Sequence, residues 1–427
     1  MASLTANSSA LRLTIARALP TTQRHPVPAM RILRAGLCPS SSSPAPHTLF
    51  NRPSQRNIHS GLQEDRSKTK IIGTHYFNNS IQRKSKLLIP TMDSGTPTPT
   101  HHVIVALETY FVPVPPLDLP PGHTYELREY SRTWPGEVAE RIKDADIIIV
   151  TVATVSASDL SVEVSPHLKM VAVVASGTDC VDLDACKARG IVVTNTPHCN
   201  AVSVAEHTTA LYFAARRSVV LAHNLVQANE WKKGAMQKVL DAPDGNPPKT
   251  CREETLGIVG YGSVGKAIES VAKGLGMKVL ISGRKGVSTA PEGRIPFDTL
   301  IRESSVIVLC LPRSPATMNL ISEAELNVMK PYAVLLNVSR GGIVNEKALL
   351  AALKSRRIAG YATDVYEQEP ATLENSCLVG PETAGLNLIT TPHVAWCATH
   401  TNAKYNKALI DNIGGWLRNG QPKYPVI

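Results

Sequence analysis

Four short motifs in a fixed order carry the residues of this sequence that could do chemistry. A glycine pattern begins at Gly260, and three later motifs contain Arg340, Glu369 and His393, each close behind a predicted strand. A glycine turn can hold a pyrophosphate, an arginine can bind a carboxylate through two parallel hydrogen bonds, and a histidine can donate a proton. Reduction of a 2-oxo acid by a nicotinamide cofactor requires such a cradle, anion clamp and proton donor.

The glycine motif lies between a predicted strand and a predicted helix. Its residues are Gly260, Tyr261, Gly262, Ser263, Val264 and Gly265. Gly260 allows a tight turn, Gly262 lets a pyrophosphate approach the backbone, and Gly265 lets the helix pack closely on the strand. The amino end of the helix would then stabilise the phosphate charge. We expect a dinucleotide site here; the alternatives are a glycine turn without a ligand, or a site for S-adenosylmethionine.

Arg340 stands two residues beyond a predicted strand over residues 333–338. In parallel α/β sheets the ligand crevice lies beyond the carboxyl ends of the strands, so this position suits a ligand-binding side chain. Gly341 and Gly342 follow at once, and backbone without side chains would let a ligand come close. We therefore expect Arg340 to bind a carboxylate, with an ordinary surface salt bridge as the alternative.

His393 also lies at a predicted strand end, and a lone histidine there would more often be structural than catalytic. A carboxylate hydrogen-bonded to the imidazole would stabilise the protonated ring and fix its tautomer, so that the pair could deliver a proton at neutral pH. Glu369 is the expected partner, and Glu367 is the competing assignment. Asp364 is expected at the same crevice edge, where it could bind the carboxamide of a nicotinamide.

The residues after the second strand of the dinucleotide unit indicate which cofactor is used. NAD-specific domains place Asp or Glu about 20 residues beyond the glycines, where the carboxylate accepts hydrogen bonds from the ribose. Here that position falls at Gly283, with Ser282 before it and Arg284 and Lys285 after it. This position therefore holds no carboxylate that could repel a 2′-phosphate. We expect NADP(H) to be preferred, with NAD(H) possible. The alternative is that the two basic residues form a solvated turn.

The elements that must position these residues alternate between buried strands and helices. Strands are predicted over 102–107, 145–151, 168–175 and 191–195, and again over 255–260, 277–283, 306–311, 333–338, 359–365 and 388–391. Helices are predicted over 135–143, 183–189, 201 to about 231, and 399–418. This pattern predicts an α/β fold with two doubly wound parallel-sheet domains. Residues 102–200, completed by 397–427, form a flavodoxin-like substrate domain, and 201–396 form a Rossmann domain that binds NAD(P).

Charge and cysteine usage exclude several classes of function. The chain has 427 residues and a formal charge of +10, and residues 1–100 hold 13 Lys and Arg against 3 Asp and Glu, so the remainder is neutral. The high isoelectric point is therefore no argument for nucleic-acid binding. No run reaches the ~18 apolar residues of a membrane helix. The eight cysteines form no C-x-x-C pair, so no metal site or disulfide framework is expected.

Residues 1–63 contain seven Arg, no Lys and no acidic residue. This composition is typical of a mitochondrial transit peptide, and we expect a mitochondrial matrix location. Residues 64–101 are polar and without periodicity, which predicts a linker. Initiation at Met92 would give a cytosolic form without the leader. The alternative is that residues 1–63 are a disordered extension without a targeting function.

Together these features resemble the D-isomer-specific 2-hydroxyacid dehydrogenase family, over about residues 102–425. The segments that carry the resemblance are 175–179, 181–183, 189–197, 204–207, 311–317 and 326–331. Residues 391–396 look most like the glyoxylate and hydroxypyruvate reductases. Members of the formate dehydrogenase branch carry Gln at the position of Glu369, which disfavours that branch.

The resemblance implies a role for each site residue. Arg340, Glu369 and His393 would be the catalytic set, and the backbone of Ser176 and Gly177 would hold the substrate carboxylate together with Arg340. Further cofactor contacts are implied at Cys310, Pro312, Thr317, Val338, Asp364 and Trp396.

The resemblance also implies the overall activity. The expected reaction is hydride transfer from NAD(P)H to a small 2-oxo acid of the glyoxylate or hydroxypyruvate type. A homodimer formed by the cofactor domain and residues 231–251 is implied, and neither nucleic acid nor membrane is expected as a partner. The alternatives are a phosphoglycerate dehydrogenase-like activity, or a dinucleotide-sensing corepressor that binds peptides.

Overall fold

The computed structural model describes residues 99–427 except Ala235. The predicted leader, nearly all of the predicted linker and Met92 lie outside these residues. The described chain contains two parallel sheets with helices on both faces. The predicted fold class, two doubly wound α/β domains, is confirmed. Within this range no helix combines the length and apolar character that crossing a membrane requires.

The first sheet has five parallel strands in the order β2-β1-β3-β4-β5. They are β1 (Thr100–Ala106), β2 (His123–Glu129), β3 (Ile147–Val150), β4 (Met170–Val173) and β5 (Val192–Thr194). This is the flavodoxin-like order, which reverses between β1 and β3. The short helices α1 (Val138–Ile142) and α2 (Leu183–Arg189) join its strands.

Sequence reasoning missed β2. Its residues, His-Thr-Tyr-Glu-Leu-Arg-Glu, are only partly buried, because the strand lies at the edge of the sheet and pairs with β1 alone. The prediction relied on runs of apolar residues, which occur in strands covered on both faces. An edge strand carries no such run, so it was not recognised.

The chain end returns to the first sheet. Helix α9 (Thr399–Asn419) buries Tyr405, Leu409 and Ile413 against a core that includes Ile104 and Met170 of the sheet. Beyond the helix, Pro425 forms an antiparallel bridge with Thr194 at the end of β5. The last residues of the chain therefore complete the domain that the first described residues begin.

The second sheet has six parallel strands in the order β11-β10-β9-β8-β6-β7. They are β6 (Thr255–Val259), β7 (Lys278–Ile281), β8 (Val306–Leu309), β9 (Val334–Asn337), β10 (Gly360–Thr363) and β11 (Leu388–Thr390). The helices are α5 (Ser263–Gly274), α6 (Phe297–Glu303), α7 (Glu323–Val328) and α8 (Glu346–Lys354). The order reverses between β6 and β8, which opens a ligand crevice beyond their carboxyl ends.

The connection between the sheets is two helices rather than the one predicted. Helix α3 (Ala201–Arg216) ends and α4 (Val219–Gln227) begins across Ser218, which has a left-handed φ of 45°. Three short 3₁₀ turns follow at Trp231–Lys233, Met236–Leu240 and Cys251–Glu253. The break falls directly after Arg216, whose side chain is fixed under the second sheet, so the chain must turn away there.

A buried ion pair fixes the end of α3. Arg216 Nε lies 2.5 Å from Glu254 Oε1, and the two side chains are 2% and 0% exposed. Arg216 also donates to the carbonyls of Tyr332 (2.7 Å) and Ser305 (2.9 Å), which precede β9 and β8. The guanidinium therefore ties the connecting helix to three strands of the second sheet.

Replacing one member of this pair should be strongly destabilising. Glu254→Gln keeps the size of the side chain but leaves the Arg216 charge buried without compensation. We expect a loss of about 3–5 kcal/mol in the free energy of unfolding, measured by urea denaturation. Glu140→Gln is the control, because it breaks a pair with Lys143 whose side chains are 77% and 57% exposed. Equal stability of the two variants would contradict the anchoring role.

Candidate active site

The three predicted catalytic residues follow three adjacent strands. Arg340 lies after β9, Glu369 after β10 and His393 after β11, and these strands are neighbours in the second sheet. Because the strands are parallel, their carboxyl ends open on the same edge. The topology therefore brings together residues that are separated by up to 53 positions in the sequence.

The imidazole of His393 is held by Glu369. His393 Nδ1 lies 2.6 Å from Glu369 Oε2, and Glu369 Oε1 accepts the backbone N–H of Tyr366 at 3.0 Å. Glu367, the competing candidate, instead donates its backbone N–H to Glu346. His393 has a left-handed φ of 53°, a strained backbone conformation that its neighbours must maintain.

The Glu369 carboxyl remains charged in this position. Burial alone would raise its pKa, but the hydrogen bond and charge of His393, the Tyr366 amide and the charge of Arg340 together outweigh burial. The net result is a pKa below the ordinary value of a glutamate. A carboxylate fixed on Nδ1 stabilises the imidazolium and leaves Nε2 as the nitrogen that can give its proton to a ligand.

Arg340 joins the two domains. Its Nε donates to Asp179 Oδ2 at 3.0 Å, and its Nη1 donates to the Ser339 carbonyl at 2.8 Å. Asp179 belongs to the loop after β4 of the first sheet. In the same loop, a Cβ on Gly177 would lie 2.0 Å from Arg340 Nη2, so any side chain there would push the guanidinium aside.

The predicted substrate residues therefore lie against the predicted anion clamp. Gly177 contacts the guanidinium, and Ser176 Oγ is directed to Asn200 Oδ1 at 3.3 Å. Sequence reasoning quoted the segment that contains Asp179 without giving this residue a role. The signal that could have identified it is an acidic residue directly after a strand of the opposite domain.

The interpretation of Gly341 and Gly342 is wrong. The prediction was that they leave room for a ligand, but a Cβ on Gly341 would lie 1.6 Å from the Tyr366 carbonyl oxygen, and one on Gly342 would lie 2.9 Å from the Met318 side chain. The protein itself fills this space. Gly341 is required because the loops after β9 and β10 touch here, which brings Glu369 close to Arg340, and Gly342 has a left-handed φ of 77°.

Asp364 anchors the loop that carries His393. Its carboxylate is 1% exposed and accepts hydrogen bonds from the Thr391 hydroxyl (2.6 Å) and the backbone N–H groups of Val394 (3.0 Å) and Ala395 (2.8 Å). Most of its hydrogen-bonding capacity is therefore used inside the protein. This leaves little for the nicotinamide carboxamide that the sequence assigned to it.

His207 was missed by sequence reasoning. It lies on α3, and its Nε2 is 3.0 Å from the Thr391 hydroxyl and 3.6 Å from Asp364 Oδ1. Helix α3 thus supports the loop after β11 that carries His393, which we call the histidine loop. His207 lies in a segment that carried the family resemblance, but nothing local in the sequence pointed to its partners.

The three glycines of the cradle differ in what surrounds them. A Cβ on Gly260, which has φ of 98°, would lie 2.4 Å from the Cys310 carbonyl oxygen, and one on Gly265 would lie 2.4 Å from the Gly260 carbonyl oxygen. A Cβ on Gly262 would meet no atom within 4 Å. Gly260 and Gly265 therefore allow close packing, while Gly262 borders open space at the start of α5. This arrangement fits a dinucleotide pyrophosphate.

The remaining predicted cofactor residues surround this cradle or lie in the core. Ser263 begins α5, and Val264 and Val338 pack in the core below it. The Cys310 thiol donates to the Gly260 carbonyl at 2.9 Å, and burial raises its pKa to about 12, so it stays protonated. Thr317 Oγ1 donates to the Pro312 carbonyl at 2.9 Å and so braces the loop after β8.

Trp396 packs against the first domain. Its ring packs against Phe111 and Tyr405 of the first domain, with centroid distances of 6.4 and 6.3 Å, and its Nε1 donates to the His393 carbonyl at 2.9 Å. These contacts give Trp396 a structural role, and its cofactor contact stays a prediction. The indole fixes the histidine loop to the core of the first domain.

Two of the three predicted 2′-phosphate contacts are occupied by the protein. Ser282 is 3% exposed and donates its hydroxyl to the Gly283 carbonyl at 2.7 Å. Lys285 Nζ lies 2.7 Å from Glu325 Oε1 and donates to the Leu320 carbonyl at 2.9 Å. Arg284 is exposed, and its side chain makes no hydrogen bond or ion pair to any described residue. Of the three, it alone is available.

Known proteins share this architecture. Residues 209–395 match the family model described as D-isomer specific 2-hydroxyacid dehydrogenase, NAD binding domain. The chain is similar to a glycerate dehydrogenase of Methylorubrum extorquens, 38% identical over 304 residues, which are 71% of this chain and 92% of the relative. It is 36% identical over 271 residues to a glyoxylate reductase of Thermococcus litoralis, covering 62% and 78% of the two chains.

A solved structure of an acyclic imino acid reductase in complex with NADPH and D-Arg has the same fold. The TM-score is 0.60 at 26% identity, over 76% of this chain and 100% of the other. The architecture of the two sheets is therefore shared with a protein whose structure contains a nicotinamide dinucleotide.

The contact between the loops after β9 and β10 can be tested by adding one methyl group. Gly341→Ala should lower the free energy of unfolding by at least about 2 kcal/mol, because the new Cβ meets backbone that cannot move freely. Gly274→Ala is the matched control: it lies in helix α5 with nothing within 4 Å, so it should raise stability by up to about 1 kcal/mol. Urea denaturation measures both. If Gly341→Ala left the free energy of unfolding unchanged, the close contact would be refuted.

Proposed function

This chain belongs to the D-isomer specific 2-hydroxyacid dehydrogenase family, and we propose that it reduces a small 2-oxo acid of the glyoxylate or hydroxypyruvate type to the D-2-hydroxy acid with NAD(P)H. One observation carries the proposal. The pair formed by Glu369 and His393 lies at the strand ends next to Arg340, and Arg340 in turn lies against Gly177 of the opposite domain.

Arg340 is the proposed anion clamp. Its guanidinium extends from the cofactor domain to the Gly177 backbone, where the substrate carboxylate would bind. Planar N–H groups suit a carboxylate, and the same cation polarises the neighbouring keto group. Asp179 holds Nε on the far edge, which fixes the plane of the guanidinium before the substrate arrives.

His393 is the proposed proton donor. The nicotinamide, when bound, supplies a hydride to the keto carbon. The negative charge that develops on the keto oxygen is then neutralised by the proton on His393 Nε2. Glu369, charged and hydrogen-bonded to Nδ1, stabilises the imidazolium before the transfer and directs the correct tautomer afterwards.

NADPH is the proposed cofactor. A carboxylate that would repel a 2′-phosphate is missing at position 283, which is a glycine, and Arg284 is free to bind one. The similar acyclic imino acid reductase, 26% identical to this chain, forms a complex with NADPH. Because Lys285 is bound to Glu325, the proposal depends on arginine rather than on a pair formed by Arg284 and Lys285.

A homodimer is part of the proposal. Helix α4 has no buried residue, and it exposes Val219, Val220 and Val226 by 50%, 44% and 48%. Trp231, shortly after it, is 67% exposed. Exposed apolar side chains of this kind on the connecting segment suit contact with a second copy of the chain.

For residues 1–63, we propose that they direct the protein to mitochondria, as their composition indicates.

Removing the proton donor should abolish most of the activity. We expect His393→Ala to lower kcat for reduction of glyoxylate or hydroxypyruvate by about two to four decades, the usual contribution of a positioned general acid. Steady-state kinetics with purified protein measures this. Glu369→Gln is the companion variant, and it should also lower kcat, because a neutral amide replaces the carboxylate that holds His393 Nδ1 at 2.6 Å. Near-normal turnover by His393→Ala with any good 2-oxo acid would sink the assignment.

The cofactor preference is tested by comparing NADPH with NADH. The wild-type enzyme should favour NADPH at least tenfold in kcat/KM, which corresponds to ~1.4 kcal/mol, within the range of one charge-assisted hydrogen bond. Arg284→Ala should weaken the use of NADPH and leave that of NADH nearly unchanged. A wild-type preference for NADH would contradict the proposal.

A further inference from the structure

We propose that Arg294, a residue outside the cofactor motifs, is the second arginine that binds the 2′-phosphate of NADP(H), opposite Arg284. The inference rests on the proposed NADP(H) preference. It replaces Lys285, which sequence proximity suggested, with a residue that tertiary structure brings to the same place. The chemistry recognised is a dianionic phosphate on the adenosine ribose.

The chain path after β7 places Arg294 beside the end of that strand. Residues 284–294 form a loop that leaves Gly283 and returns at Ile295, which pairs with Ser282 in a parallel bridge. The Gly283 N–H donates to the Ile295 carbonyl at 2.7 Å, and the Ile295 N–H donates to the Ile281 carbonyl at 2.9 Å. Arg294 therefore stands next to the position from which a ribose is recognised.

The same returning loop packs closely against Gly283, the position that carries no carboxylate. A Cβ on Gly283 would lie 3.2 Å from Ala290 Cβ and 3.3 Å from the Ile295 carbonyl oxygen. Any side chain at this position would require the loop to shift by a few tenths of an ångström. The loop that packs against Gly283 is also the loop that presents Arg294.

Arg294 also faces the glycine cradle. Its guanidinium lies 5.8 Å from the centroid of the Tyr261 ring, and Tyr261 stands between the first two glycines of the motif. The Tyr261 hydroxyl donates to Glu269, which fixes the ring. The guanidinium therefore borders the crevice between the cradle and the end of β7. A dinucleotide whose pyrophosphate occupies the cradle extends its adenosine in this direction.

The charge of Arg294 is available to a ligand. Its side chain is exposed, and among the described residues it makes no hydrogen bond or ion pair, only the contact with Tyr261. The nearby carboxylate of Glu269 is neutralised by Lys273, whose Nζ lies 2.7 Å away. Two free guanidiniums, on Arg284 and Arg294, match a phosphate that carries about two negative charges at neutral pH.

The test combines binding with kinetics. Titration calorimetry of the whole protein with 2′,5′-ADP and with 5′-AMP isolates the phosphate contribution from catalysis. We expect Arg294→Ala to weaken 2′,5′-ADP binding at least tenfold and to leave 5′-AMP binding unchanged. In steady-state kinetics, the ratio of kcat/KM for NADPH to that for NADH should fall by a similar factor.

Two controls match the change in charge. Arg302→Ala removes an exposed arginine at the end of α6, and Lys285→Ala removes the lysine bound to Glu325. Neither should change the cofactor ratio. Circular dichroism and a urea transition check that each variant folds. If Arg294→Ala does not fold, Arg294→Lys replaces it. The lysine keeps the positive charge but lacks the planar guanidinium, so this variant should show an intermediate effect.

The outcomes separate this inference from the proposed function. If the wild type prefers NADPH and Arg294→Ala loses 2′,5′-ADP binding selectively, the inference is supported. If the wild type prefers NADPH but Arg294→Ala binds 2′,5′-ADP as tightly as the wild type does, this inference is overturned and the cofactor proposal stands. The same holds if the variant loses affinity for 2′,5′-ADP and 5′-AMP equally. If the wild type binds 5′-AMP as tightly as 2′,5′-ADP, the cofactor proposal fails and the inference fails with it.

Discussion

The buried carboxylate of Asp364 is the point on which the candidate site depends. It accepts hydrogen bonds from the Thr391 hydroxyl and from the N–H groups of Val394 and Ala395. The backbone carbonyl of Asp364 accepts the N–H of His393 at 2.8 Å. A carboxylate at this depth is tolerated because hydrogen bonds replace its hydration. These bonds hold His393 in a left-handed conformation that directs the imidazole to Glu369. The proposed proton donor is thus positioned by a residue that need not touch the substrate.

The cleft between the domains is defined by close contacts rather than by empty space. Gly177 lets the guanidinium of Arg340 reach the opposite domain, and Gly341 lets two strand-end loops meet. Asp179 then completes the connection with an ion pair across the cleft. At each of these glycines a single methyl group would force backbone or the guanidinium aside. Arg340 and His393, the proposed anion clamp and proton donor, are held in one geometry because neither loop can relax independently.

The cofactor side is organised by the reversal of strand order between β6 and β8. The cradle opens there, and Cys310 at the end of β8 supports the turn at Gly260 from below. Beyond it, the loop that returns beside β7 packs against Gly283, a position without an acidic side chain. Both the place for the pyrophosphate and the charge around the ribose therefore follow from the same short stretch of sheet edge.

The sequence by itself determined the fold class, most strands and the identity of the candidate catalytic residues, because buried parallel strands are continuous apolar runs and the motifs follow them directly. Tertiary structure decided what depends on distant contacts. The edge strand β2 carries no apolar run, and α3 ends where Arg216 meets Glu254. Lys285 is captured by Glu325, 40 residues away, and Trp396 packs on the opposite domain. Local patterns identify residues that can do chemistry, whereas only the folded chain shows which of their polar groups remain free.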